Sequence, residues 1–165
     1  MKRRSVLFLL ALLLVCSVLA SYGQSAPQPF SRKGNPVNSD LRKLSGSRVA
    51  IKAGEKTFIV DLYDNETAND LSSQLPLSLT ADNYPGYEEK VIRLKKPLSM
   101  KGAPAGDDPE IPEFGYYHPG RWLAIYYGPI GYWSGKVPLG RINASLDELR
   151  AIPGNTPVTI ERVRD

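Results

Sequence analysis

Eight aromatic side chains crowd into one stretch of this 165-residue sequence: Phe114, Tyr116, Tyr117, Trp122, Tyr126, Tyr127, Tyr132 and Trp133. Tyr and Trp combine a broad rigid contact area with a polar tip, so such a group at partial exposure suits binding of a peptide or a small molecule. The same rings can also serve core and barrel-end packing, and both readings stay open at this point. Tyr126 and Tyr127 are neighbours, and successive side chains on a strand face opposite ways, so one of the pair must lie outside the core. Gly128, Pro129, Gly131 and Gly135 punctuate the segment around Tyr132 and Trp133. Such a loop can fold over a pocket mouth or simply fasten itself to a sheet. The candidate ligand-binding residues are Tyr116, Tyr117, Tyr126 and Trp133, joined by Arg141 to hold a carboxylate or a peptide carbonyl, with Glu66 in support. Arg141 and Glu66 meeting inside the fold would form a buried ion pair, and a purely structural pair is the simpler account of it.

Other chemistries are poorly supplied. His118 is the only histidine and Cys16 the only cysteine, so no zinc set and no hydrolytic triad can be assembled from a recognised motif. Asp107, Asp108, Glu110 and Glu113 crowd a proline-rich segment, but their spacing is not that of a calcium loop, and a solvated acidic loop is the expectation. Lys90, Arg93, Lys95, Lys96 and Lys101 read as its basic counterpart on a mixed-charge surface. The Gly-rich segment lacks the strand-to-helix setting of a phosphate loop. No metal, cofactor or catalytic residue is therefore expected.

The basic balance is concentrated at one end. Residues 1–20 carry Lys2, Arg3 and Arg4, an unbroken apolar run over residues 6–15, and small residues ahead of an expected cleavage after Ala20, the three parts of a secretory signal. Without those three cations the 21 Lys and Arg fall to 18, against 17 acids. A nucleic-acid partner needs a retained surplus of cations and is not expected. The uncharged stretch from Ser5 to Leu19 is shorter than the ~20 residues that cross a bilayer, so no stable membrane span is expected after cleavage. A periplasmic or secreted location follows. A lipoprotein reading would lipidate Cys16, but Val15 stands where that processing wants a small side chain.

The elements that must position the candidates begin late. Residues 21–46 hold Gly, Ser, Gln, Asn and Pro with few large apolar groups and read as a flexible tail, leaving 47–165 as the domain. Val49, Ile51 and Ala53, then Phe58, Val60 and Leu62, alternate on either side of Gly54-Glu55, which predicts a tight hairpin. Asp64-Asn65 can cap a helix whose stripe is Ala68, Leu71 and Leu75, stopped by Pro76. Strands are expected at residues 77–79, 90–94, 123–127, 137–142 and 157–163, with an irregular loop over 99–112. Ser145 and Glu148 form a capping box that opens a second short helix. The count favours a mainly β, closed or nearly closed barrel with two short helices.

Several blocks then resemble the small bacterial cyclophilin-like fold family. They are Asp64-Asn65-Glu66-Thr67-Ala68, Leu75-Pro76-Leu77-Ser78-Leu79, Tyr84-Pro85-Gly86 with Glu89-Lys90, and Gly102-Ala103-Pro104-Ala105-Gly106. Gly115-Tyr116-Tyr117, Leu123-Ala124-Ile125-Tyr126-Tyr127 and Pro138-Leu139-Gly140-Arg141-Ile142 continue the series in order. The resemblance spans about residues 48–163 and implies a closed eight-stranded cyclophilin-like β-barrel with two capping helices. It implies fold rather than activity, because most members are uncharacterised. True cyclophilins carry a Phe-His-Arg type strand and a Gly-Ser-Gln-Phe-Phe type segment, and neither motif stands here. The expectation is thus an exported, non-catalytic module for a peptide or small ligand. The alternative is an envelope peptidyl-prolyl isomerase with a divergent site that uses Arg121 or Arg141.

Overall fold

The computed structural model describes residues 40–164. The expected signal at residues 1–20, Cys16 and most of the expected tail lie outside the described residues.

Strands β1 (Leu44–Ala53) and β2 (Lys56–Tyr63) form the expected hairpin, with Ile51 opposite Phe58 and Val49 opposite Val60. Gly54 opens its two-residue turn at φ +60°, a conformation that a Cβ disfavours. Helix α1 (Glu66–Gln74) starts where the Asn65 side chain accepts the Ala68 N–H at 2.9 Å. Its buried stripe is Thr67, Ala68 and Leu71, and the chain leaves it at Leu75-Pro76. Then come β3 (Leu77–Asn83), β4 (Glu89–Arg93), β5 (Gly106–Asp107), β6 (Glu113–Tyr117), β7 (Trp122–Tyr126), β8 (Trp133–Ser134) and β9 (Lys136–Asn143). Helix α2 (Leu146–Arg150) carries the full Ser145–Glu148 capping box, and β10 (Thr156–Arg162) completes the chain.

Eight strands close into an antiparallel barrel in the order β1-β10-β3-β4-β7-β6-β9-β2, and β5 pairs with β8 in a separate two-stranded ribbon. Alternation explains the interior. Val49, Ile51, Phe58, Val60, Ile92, Phe114, Tyr116, Leu123, Ile125, Leu139, Val158 and Ile160 point inward and pack with Leu71 and Leu149 from the two helices. Tyr127 joins this core, whereas Tyr126 faces outward into a second apolar cluster, so the pair divides as the alternation requires.

Three parts differ from expectation. Residues 113–117 form a full central strand, β6, between β7 and β9. The segment before residue 47 belongs to the fold, since β1 starts at Leu44 and Arg42 is engaged with Asp107 and Glu113. Lys90, grouped above with surface cations, is buried at one barrel end. Its Nζ donates to Asn83 Oδ1 (2.6 Å), the Ile152 carbonyl (2.6 Å) and the Arg150 carbonyl (3.3 Å), tying the end of α2 to the barrel.

Candidate functional site

Three strand-to-strand rows build the outer face of β4, β7, β6 and β9. Arg93, Trp122, Tyr117 and Lys136 stand opposite one another in the first. Val91, Ala124, Gly115 and Pro138 form the second, and Glu89, Tyr126, Glu113 and Arg141 the third. Opposed residues share a face. The middle row is small at its centre, where Ala124 and Gly115 leave a shallow floor. The Tyr126 ring lies across that floor, because a Cβ on Gly115 would stand 2.7 Å from Tyr126 Cε2.

A layer of rings covers the floor. Trp133, carried by the β5–β8 ribbon, meets Tyr87 at 5.1 Å, Tyr117 at 5.5 Å and Tyr84 at 6.2 Å between centroids. Trp122 meets Tyr117 at 4.8 Å and Tyr84 at 5.4 Å. Tilted and edge-on arrangements at these separations are the favourable ones for aromatic pairs. Trp133, Tyr84 and Tyr117 are half-buried and Tyr87 is exposed at the rim.

Two charges are buried on this face. Glu89 is 1% exposed and Lys136 2%. Lys136 Nζ sits 4.3 Å from the Trp133 ring centre and 5.0 Å from that of Tyr126. Both Glu89 carboxylate oxygens, Lys136 Nζ, Tyr126 OH and Trp122 Nε1 have no hydrogen-bond partner among the described residues. Burial pushes the Glu89 carboxyl up to about 6, partly offset by the Lys136 charge and by the nearby Trp122 indole, which stops short of a well-formed hydrogen bond. Burial lowers the Lys136 amine to about 8, against the pull of Glu89. It also raises the Tyr126 hydroxyl well above its ordinary value. Three donors and two acceptors thus stand unsatisfied on one face, at a cost of about 1–3 kcal/mol each.

The ribbon is clamped through Asp107, the register partner of Trp133, by a second buried cluster. Arg42 grips Glu113 with Nε to Oε1 at 2.8 Å and Nη2 to Oε2 at 2.9 Å, and reaches Asp107 on the ribbon with Nη2 to Oδ2 at 2.8 Å. The Tyr63 hydroxyl donates to Glu113 Oε1 at 3.0 Å, and the Glu110 N–H donates to Oε2 at 3.0 Å. Burial alone would weaken the Arg42 charge, but the hydrogen bonds and charges of Glu113 and Asp107 outweigh it and raise the guanidinium above its ordinary value. Burial likewise raises Glu113 and Tyr63, with Arg42 opposing both. Here every charge is met, so the cluster reads as a fastening. The expectation of a solvated acidic loop is corrected at Asp107 and Glu113, which are 5% and 0% exposed.

Of the residues singled out from sequence, Tyr117, Tyr126 and Trp133 come together on this face. Tyr116 does not join them. It points into the barrel, where its hydroxyl accepts the Leu98 N–H at 3.2 Å. Arg141 and Glu66 do not meet. Arg141 is exposed with its Nη2 3.6 Å from Asp61, and Glu66 is exposed with Lys101 3.7 Å away. His118 and Arg121 belong to the β6–β7 turn, where the Arg121 N–H donates to the His118 carbonyl at 3.1 Å. Sequence reasoning missed Glu89 and Lys136. The signal was present for Glu89, since residues 89, 91 and 93 share one face of β4. A groove of about 730 Å³ lies elsewhere, against Leu75, Pro76 and residues 161–164, but Arg162 there already donates to the Ser72 carbonyl at 2.6 and 2.9 Å. No group of three or more metal-ligating side chains occurs among the described residues.

Known proteins resemble this chain in the same region. A model of the Cyclophilin-like family matches residues 51–161. The solution structure of the hypothetical protein AF2241 from Archaeoglobus fulgidus superposes with TM-score 0.55 at 22% identity, covering 73% of this chain and 98% of that one. The structure of McbB in complex with tryptophan superposes with TM-score 0.53 at 15% identity over 71% of this chain and 46% of that one, so this chain spans about half its length. At such identities the likeness is one of fold. No curated protein matches by sequence.

Proposed function

The chain belongs to the cyclophilin-like family, and on that footing we propose that it is a binding module that takes a peptide or small polar ligand beneath the ring layer of β4, β7, β6 and β9. The family supplies the barrel and leaves the activity to the site. One observation carries the reading: Glu89, Lys136, Tyr126 and Trp122, all on the ring-bearing face, hold five buried polar atoms with no partner among the described residues. Buried polar atoms in folded proteins are nearly always satisfied, so a convergent unsatisfied set calls for a ligand group that completes it. The rings add contact area without being needed inside the barrel, whose interior is filled by aliphatic residues with Phe58, Phe114, Tyr116 and Tyr127.

The isomerase alternative has less behind it. Arg121 sits in a turn, and Arg141, at the far end of the Glu89 row, is exposed and paired with Asp61. Delivery to the periplasm or exterior, from the reading of residues 1–20, belongs to the same proposal and fits a ligand-capture role. The test is a thermal-shift screen of the purified protein against peptide and metabolite pools. A ligand at 100 times its dissociation constant adds about 2.7 kcal/mol to the folded state. The expected result is a shift that disappears in Lys136→Met. A shift that persists unchanged in Lys136→Met, or no shift with any pool, overturns the proposal.

A further inference from the structure

We infer that the face beneath Trp133 recognises the zwitterionic head group of a free α-amino acid, its ammonium on Glu89 and its carboxylate on Lys136, with an apolar side chain against the rings. This inference rests on the binding role proposed above and names the ligand class.

The two buried charges, Glu89 and Lys136, dictate the ligand. Glu89 offers two acceptor oxygens and no donor, while Lys136 Nζ, Trp122 Nε1 and Tyr126 OH all donate. The matching group must donate at one pole and accept at the other. A neutral amide has that polarity, but it would leave each buried charge with no opposite charge in direct contact. A zwitterion supplies an opposite charge at each pole and adds no net charge to a dry site. Charge-assisted hydrogen bonds are also roughly twice as strong as neutral ones. Lys136 and Glu89 stand in the first and third rows, and no ion pair between them within 4.0 Å occurs among the described residues. The row between them is Ala124 and Gly115, the smallest side chains on the face. The Tyr84, Tyr117 and Trp133 rings above the floor then take the amino acid's side chain.

Entry requires the Trp133 ring to leave Lys136, which it covers at 4.3 Å. Both tryptophans of the sequence, Trp122 and Trp133, lie on this face, so selectively excited tryptophan emission reports on it. The experiment titrates the protein with L-leucine and L-phenylalanine, and in parallel with leucinamide, which lacks the carboxylate, and N-acetylleucine, which lacks the ammonium. The expected result is a saturable change in tryptophan emission with at least one free amino acid. Each blocked leucine should bind about tenfold more weakly or worse, the usual consequence of losing one charged hydrogen bond to a buried group. Glu89→Gln should remove the preference for a free ammonium, and Lys136→Met the preference for a free carboxylate, with circular dichroism confirming that both variants fold. Blocked leucines binding as tightly as leucine would overturn the zwitterion while leaving the binding role intact. No response to either amino acid, with a response to the peptide pool, would have the same outcome. No response to any of these ligands would overturn both.

Discussion

Replacing Glu89 by Gln tests whether the buried acid is held at a cost. The side chain is 1% exposed, its two oxygens lack partners among the described residues, and its carboxyl sits at about 6 where the ordinary value is 4.5. A carboxyl displaced upward holds its proton more tightly in the folded chain than in the unfolded one. Below about pH 4.5 both states are protonated and the group contributes nothing. Between 4.5 and 6 the unfolded chain ionises first and stability falls, and above 6 the whole penalty is present. A displacement of this size corresponds to about 2 kcal/mol. Relaxation around the charge trims this, so about 1–2 kcal/mol is the expected effect. Gln keeps the shape and discards the charge. Glu89→Gln should therefore be more stable than the parent by that amount in urea denaturation at pH 7.5 and indistinguishable from it near pH 4. A variant less stable than the parent at pH 7.5, or an effect that does not change with pH, refutes the reasoning. The same variant is expected to lose ligand preference, which is the usual exchange of stability against function at a site kept unsatisfied.

Three further outcomes follow from the geometry. Arg42→Met strands Glu113 and Asp107 as buried carboxylates and should cost about 3–5 kcal/mol in chemical denaturation, far more than a residue of a loose tail would. Gly115→Ala places a Cβ 2.7 Å from the Tyr126 ring and 3.2 Å from the Val137 carbonyl, so it should lose about 1–3 kcal/mol and shift tryptophan emission as Tyr126 is displaced. Arg141→Ala removes only an exposed contact of 3.6 Å to Asp61 and should leave the denaturation midpoint within about 0.5 kcal/mol of the parent and ligand binding unchanged.

The barrel was largely legible because its determinants are local. Alternation at Val49, Ile51, Phe58 and Val60, the Gly54 turn, the Asn65 cap and the Ser145–Glu148 box each act over a few residues. β6 escaped notice because Phe114 and Tyr116 face the barrel interior while Tyr117 and the outward Tyr126 read as one aromatic group with them. Only the register with β7 and β9 separates the two faces. The site was half legible. Ring-bearing residues announce themselves by type, so Tyr117, Tyr126 and Trp133 were found. Glu89 and Lys136 look like ordinary surface charges, and their burial depends on the pairing of β4, β7, β6 and β9, which brings residues nearly 50 positions apart to one face. Arg42 and Glu113, 71 positions apart, are hidden from sequence for the same reason.

The account turns on the outer face beneath Trp133 being a place where a ligand sits. Two-dimensional NMR of the indole N–H groups tests this most directly, since the sequence contains two tryptophans and both belong to that face. On titration with the ligand found in the thermal screen, the Trp122 and Trp133 indole signals should move together and saturate at the same concentration, and Lys136→Met should abolish the movement. Indole signals that stay fixed while the protein is otherwise saturated with ligand would place binding elsewhere and leave the ring layer as packing.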